Sequence, residues 1–424
     1  MSITRRTFLN VLGASGGMAL AGRRGTAGAT AADRVRIGVI GVRGRGTDLT
    51  RLFASNQGAE VAAICDIDPA TLEKPLKLTE TMTGKRPRVE QDFRRILDDK
   101  EIDAIVIATP DHWHALMAIM GCQAGKDVYV EKPVSHNIVE GRKMVEAARK
   151  YNRVVQAGTQ RRSTPFVADA IAYVHSGALG KIGMVRAWAH GKRVNIGHGK
   201  PGQVPERVDY ALWQGPAPDR PFYANRFHYN WHWFWNWGTG ELGNNGIHCV
   251  DVARWGLNLD PQTPVKVSSS GGKYLFDDDM ETPDTQIVTW EFPTTCLVYE
   301  HRIWTDHPTE GEKFGIAFYG EKGTLIIDIK GWRVEDGPKA GEKGADGQAS
   351  HVQNFLDCVR SRAKPNAEIE LLHQSTRLCH LGNIAFRTGK KLSFDSARER
   401  FSDDDANRLL AREYGNRFEL PSQV

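Results

Sequence analysis

The chain has 424 residues, 40% of them apolar, which is too long for one hydrophobic core and enough to build two. No apolar run is long enough to cross a bilayer as a helix, so a membrane span is excluded. Of the formal charge of +5, four units reside in the first 32 residues, which hold Arg5, Arg6, Arg23 and Arg24 and no acid; the remainder carries 52 basic residues against 51 acidic ones, so nothing points to a nucleic-acid partner.

In chain order, the first segment reads Thr4-Arg5-Arg6-Thr7-Phe8-Leu9-Asn10, then a weakly apolar stretch to Ala21, then Ala27-Gly28-Ala29. Twin arginine, a modest apolar region and a small-residue cleavage site predict a twin-arginine export signal over residues 1–32 and a periplasmic destination. That route carries proteins already folded, so a cofactor can be loaded before export.

Residues 33–158 alternate short β-branched runs (35–40, 61–65, 102–108, 127–130 and 153–157) with helical stretches. One of these opens at Asn137, with Glu140 three residues on as in a capping box. Near-continuous apolar strands separated by helices predict a doubly wound parallel sheet, a Rossmann-type α/β domain. Residues 159–390 differ. After a helix near Thr164 to His175, alternating runs at 183–189, 286–292, 296–300, 314–319 and 324–329 predict a large, mostly antiparallel open sheet in an α+β domain. Gly320-Glu-Lys-Gly323 forms a hairpin turn, residues 336–348 a solvated loop, and two helices follow at about 350–362 and 371–388. Residues 391–424 are read as a C-terminal extension. The six cysteines show no C-x-x-C spacing and are expected to be mostly buried free thiols.

The chemistry concentrates at strand ends. Gly41-Val-Arg-Gly-Arg-Gly46 follows the first strand and opens a helix, and Asp66 ends the second strand 20 residues after Gly46. This is the context of a dinucleotide fingerprint, with Gly41, Arg43, Gly44, Arg45 and Gly46 at the phosphates and Asp66 on the adenosine ribose. A carboxylate there repels a 2′-phosphate, which favours NAD over NADP. Arg43 stands where the middle glycine belongs; Gly44 beside it can restore close approach, while the guanidinium pairs with phosphate or reaches the adenine side. The next two strands end in Thr109-Pro110-Asp111-His112-Trp113-His114 and Glu131-Lys132-Pro133, both aimed at the same crevice. Lys132 can hydrogen-bond a substrate hydroxyl.

In the second domain, Asn244, His248 and Asp251 share one face if helical, and a neutral His248 can take the proton of an alcohol as its carbon loses hydride. Gln160 and Arg161 end the last parallel strand and are candidates for substrate hydroxyls. The run from His228 to Trp237 holds four tryptophans, Trp235 among them, suited to stacking on sugar rings or to packing in a core or interface. The histidines show no convincing metal-ligand spacing, so no metal is expected.

These residues resemble the Gfo/Idh/MocA oxidoreductases: the Gly41 loop, Asp66, Thr109-Pro110 with His114, Glu131-Lys132-Pro133, Gly158-Thr-Gln-Arg161, Trp213-Gln-Gly-Pro-Ala217 and Gly246-x-His248-x-x-Asp251. Glu-Lys-Pro after a Rossmann strand is the most specific. The resemblance implies an NAD(P)-dependent sugar or polyol dehydrogenase, with the catalytic lysine on Lys132, the catalytic histidine on His248, Trp213 near substrate and a homodimer or homotetramer. It departs at Arg43 and at Asn244, which stands where many members carry a catalytic aspartate. Asparagine cannot titrate, so it orients substrate or histidine and leaves the relay to Lys132 and His248. Three activities stay open: net oxidation of a sugar or polyol paired with reduction of a second carbonyl, transient oxidation assisting glycoside cleavage or epimerisation, and sugar binding without turnover.

Overall fold

The computed structural model describes residues 34–335, 347–415 and 418–424. The export signal predicted over residues 1–32 and nearly all of the loop predicted at 336–348 lie outside the described residues.

The first domain runs β1 (Val35–Ile40), α1 (Gly44–Ala54), β2 (Ala59–Cys65), α2 (Glu73–Thr83), β3 (Arg88–Glu90), α3 (Arg94–Asp98), β4 (Ala104–Ile107), α4 (Asp111–Gln123), β5 (Asp127–Val130), α5 (Ile138–Lys150) and β6 (Val155–Ala157). Its six strands pair in parallel in the order β3-β2-β1-β4-β5-β6. Burial on both sheet faces explains the apolar strands: Ile37, Val39, Ile105, Val106 and Val128 are fully buried. The short strand β3, polar in sequence and mostly exposed, escapes the apolar-run criterion. Asn137 caps α5, its side chain accepting from Glu140 N at 2.9 Å, while the Glu140 carboxylate accepts from His136 N, one residue before the cap.

The second domain contains α6 (Pro165–His175), β7 (Ile182–His190), α7 (Tyr210–Gln214), α8 (Ile247–Leu257), β8 (Val265–Gly272), β9 (Thr285–Glu291), β10 (Cys296–Arg302), β11 (Phe314–Gly320), β12 (Gly323–Ile327), β13 (Trp332–Glu335), α9 (Gln348–Ser361), α10 (Ile369–Thr388), β14 (Leu392–Asp395), β15 (Arg400–Phe401) and α11 (Asp404–Arg408). Nine strands form one sheet, β13-β12-β11-β7-β10-β9-β8-β14-β15, in which only β7 and β10 pair in parallel. The core of this domain joins alternate residues of the strands, such as Ala187, Trp290, Leu297 and Phe318, to Ile171, Val250 and Leu381 of the helices. Gly320 pairs with Gly323, leaving Glu321 and Lys322 as a two-residue hairpin loop.

The chain recrosses between domains twice. Helix α9 packs Phe355 edge-on against Phe53 and Tyr129 of the first domain. After β14 and β15 extend the sheet edge, the C-terminal segment returns: the Tyr414 hydroxyl donates to Glu140 at 2.9 Å, and Phe418 packs edge-on against Trp113. All six cysteines are free, and five are buried. Among the described residues no helix is long and apolar enough to cross a membrane, and no three metal-ligating side chains converge.

Candidate active site

A cavity of about 410 Å³ opens at the carboxyl ends of β1, β2, β4 and β5 and is walled on its other side by the second domain. The loop after β1 forms its floor. A Cβ on Gly46 would collide with the Gly41 carbonyl oxygen, and Gly41, at φ +80°, lies against the Ala108 carbonyl, so the close turn needs glycine at both. Gly44 faces open space, and α1 starts there with no side chain capping its first turn. Arg43 lines the cavity. Asp66 is aimed by two backbone donors, Val42 N at 2.8 Å on one oxygen and Asp68 N at 3.0 Å on the other. Burial pushes its carboxyl above the ordinary value, against those donors. Arg45 turns aside to pair with buried Glu131 at 2.7 Å and to donate to Gln348 at 2.6 Å, so it braces the loop.

Lys132 enters from the end of β5, with a cis bond to Pro133. Its ammonium donates to the Asn244 backbone oxygen at 2.9 Å and side-chain oxygen at 3.0 Å. The Asn244 amide in turn donates to Glu241, which pairs with Arg193. Asparagine thus orients the ammonium as a neutral acceptor. Burial holds the Lys132 amine below its ordinary value, although Glu131, Asp111 and Glu241 oppose that shift. His248 lies on α8 just after a π-helical turn at Leu242–Gly246. Burial, reinforced by the Lys132 charge, keeps its imidazole neutral far below the ordinary value.

His114 faces the Pro133 oxygen at 2.6 Å and the Thr109 oxygen at 2.8 Å through its two ring nitrogens. It ties the β4 and β5 loops together and so fixes where Thr109, Pro110 and Lys132 stand. Asp111, without a role in the sequence reading, lines the cavity beneath Lys132's field and accepts from the Thr239 hydroxyl at 2.7 Å. Burial pushes its carboxyl up to about 7. Because this folded value lies above that of an exposed aspartate, the stabilisation from its protonation is fully present below about pH 4 and is lost as pH rises through about 7. Asp111→Asn should therefore gain melting temperature relative to the parent as pH rises from about 4 to about 7; a difference that stays constant in thermal scans would contradict this.

Gln160, Trp213, Asn244 and His248 all line the cavity, as do Gly41, Arg43, Gly44, Arg45, Asp66, Thr109, Pro110, His114, Glu131 and Lys132. Gly46 lies behind the loop. Arg161 and Trp235 stand apart from it. The Arg161 guanidinium is buried against the Asp328 carbonyl and the face of Phe314, and Trp235 packs against Arg387. Asp251 is likewise structural: fully buried, it binds Arg162 at 2.8 Å and accepts from the Ser375 hydroxyl at 2.7 Å. The aromatic run divides its work, with Tyr229, Trp231 and His232 facing the cavity and Trp233 and Trp237 buried in a cluster with Trp213.

The donor set fits a dinucleotide. Gly44 leaves a cradle at the start of α1, Asp66 stands at the adjoining strand end, and His248 Nδ1 and Gln160 Oε1 are buried with no hydrogen-bond partner among the described residues. A parallel sheet in this order with a glycine turn at its switch point defines a dinucleotide-binding α/β domain. Residues 35–159 match the NAD-binding Rossmann fold of the Gfo/Idh/MocA oxidoreductase family, and residues 186–420 match that family's C-terminal alpha/beta domain. The chain belongs to this family, and its first domain is an NAD-binding domain.

Among similar proteins, a glycosyl hydrolase family 109 protein of Shewanella pealeana is 35% identical over 122 residues, covering 28% of this chain and 27% of its own. One from Shewanella woodyi is 34% identical over 120 residues, covering 27% and 26%. The chain thus aligns with about a quarter of these relatives' length. The WlbA dehydrogenase of Bordetella pertussis, solved with NADH and UDP-GlcNAcA, shares the fold with a TM-score of 0.63 at 22% identity, covering 84% of this chain and 98% of its own. The scyllo-inositol dehydrogenase of Lactobacillus casei does so at 0.61 and 18%, covering 86% and 99%.

Proposed function

We propose that this protein is an NAD-dependent oxidoreductase acting on a hydroxyl of a sugar, glycoside or cyclic polyol, with Lys132 and His248 as its proton relay. The convergence of an oriented ammonium, a neutral imidazole and the Gly41 loop on one cavity carries this reading. NAD, when bound, accepts a hydride from a carbinol carbon and can return it. The chain supplies the rest. Lys132 donates a hydrogen bond to the substrate oxygen and stabilises the charge that grows there as its proton leaves. His248 takes that proton, leaving a carbonyl. Asn244 holds the ammonium in place, while Trp213, Trp231 and Gln160 offer a ring face and an amide to a polyhydroxylated substrate. Incubating the loaded enzyme with a panel of glycosides and polyols, and following NADH absorbance and products, tests the reading; no reduction of NAD by any of them would count against it.

The similarity to family 109 glycosyl hydrolases favours a second reading, in which oxidation is transient and assists glycoside cleavage. Released aglycone without accumulated ketone would select it. The twin-arginine segment supports export of the folded, loaded protein to the periplasm, where a cofactor without a free pool must stay bound and be recycled. The open face of the nine-stranded sheet, with Ile287 46% exposed, supports a homodimer or homotetramer, which sedimentation would measure. NADP is disfavoured by Asp66. Asp66→Ala should weaken NAD about tenfold or more and relax discrimination against NADP, since it removes both a ribose acceptor and the anchor of Val42 N; an unchanged preference in binding titrations would assign discrimination elsewhere.

A further inference from the structure

The loop that aims Asp66 is gripped from the second domain. Asp68, two residues on, uses one carboxylate oxygen to accept from Ala70 N at 2.9 Å and the other to meet His228 Nε2 at 2.7 Å. Between them, the Ile67 carbonyl accepts from Asp209 N at 3.2 Å, and the Gln91 side chain bridges the Ile67 and Arg207 carbonyls. His228 holds a left-handed backbone (φ +64°), uncommon for a residue other than glycine, and its ring lies 3.9 Å from that of Phe227 in the aromatic cluster. From this anchor Tyr229, Trp231 and His232 line the same cavity as Gly41, Arg43 and Asp66.

We infer that the His228–Asp68 pair is a clasp that retains the cofactor: it fastens the aromatic segment 227–232 across the end of the crevice where Asp66 stands, so that a bound dinucleotide leaves only when this contact opens. The inference rests on the NAD-retaining reading above. It gives His228 and Asp68 a positioning role, acting through the Asp66 loop rather than on the reacting atoms. A crevice closed by the chain's own two domains supplies the slow release that internal recycling needs.

The test uses the holoenzyme loaded with NADH and chased with excess NAD, following the loss of bound-NADH fluorescence in the parent, His228→Asn, Asp68→Ser and the double variant. Asparagine tolerates the left-handed backbone and serine keeps the turn cap, so both variants preserve local structure. Each single variant should release NADH about tenfold faster or more, as expected for a lost hydrogen bond to a charged group. The double variant should be no faster than the quicker single one, within about twofold, because both remove one contact. Release within about twofold of the parent in His228→Asn, which leaves Asp68 untouched, overturns the clasp, as do single effects that simply add. A parent that exchanges NADH within the mixing time overturns both the clasp and the retained-cofactor reading, whereas slow parent and slow variants overturn the clasp alone.

Discussion

Lys132→Ala should lower the single-turnover rate of NAD reduction by about a thousandfold while leaving NAD affinity within about threefold of the parent. The ammonium is held by two oxygens of one residue, Asn244, at 2.9 and 3.0 Å, which fixes its direction without neutralising its charge. An alanine there leaves nothing to stabilise the oxygen that gives up its proton, and the solvent that enters cannot be preorganised. The Gly41 loop and the start of α1, proposed to hold the cofactor phosphates, follow a different strand and keep their form. His248→Ala should lose the same step for a different reason, since a neutral imidazole buried beside a cation is the proposed base, and Asn244 cannot replace it. Either variant keeping more than about a tenth of the parent rate in a stopped-flow experiment with saturating substrate would remove its residue from the relay.

Asp251→Ala should cost about 3–5 kcal/mol of stability, because it strands the Arg162 guanidinium in the core. The Asp251 side chain is 0% exposed and that of Arg162 6%, and the pair is joined by the Ser375 hydroxyl on α10. Arg162 also lies over the Trp255 ring, so it has no route to water without disturbing α8. The pair locks the loop bearing Gln160 to the helix bearing His248, so loss of stability and loss of activity should appear together. Urea unfolding reads the first directly; a change below about 1 kcal/mol would show that water or rearrangement rehydrates the arginine.

Much of the site was legible because parallel sheets put their chemistry at strand ends. Gly41, Asp66, Thr109 and Lys132 each follow an apolar run, and one topological rule brings them together. What depended on local turns was less legible. Gln160, Arg161 and Arg162 are consecutive on a 3₁₀ turn, where neighbours point about a third of a revolution apart: the first faces the cavity, the second Asp328, the third Asp251. Reading Gln160 and Arg161 as a pair assumed a direction the backbone does not take. The alternating tryptophans likewise meet a 3₁₀ turn at Asn230–Trp233, which sends Trp231 to the cavity and leaves Trp235 beside Arg387. Asp111 and His228 owe their significance to partners 128 and 160 residues distant, Thr239 and Asp68, and no local pattern carries that information. Strands β14 and β15, four and two residues long, gain their place only by pairing at the sheet edge.

The most direct measurement is to purify the protein without added nucleotide, denature it, and identify what is released by mass spectrometry. One NAD or NADH per chain is the predicted result, consistent with a cofactor enclosed between the two domains and recycled in place. A protein that releases no nucleotide and takes up none on titration with NAD would contradict the account.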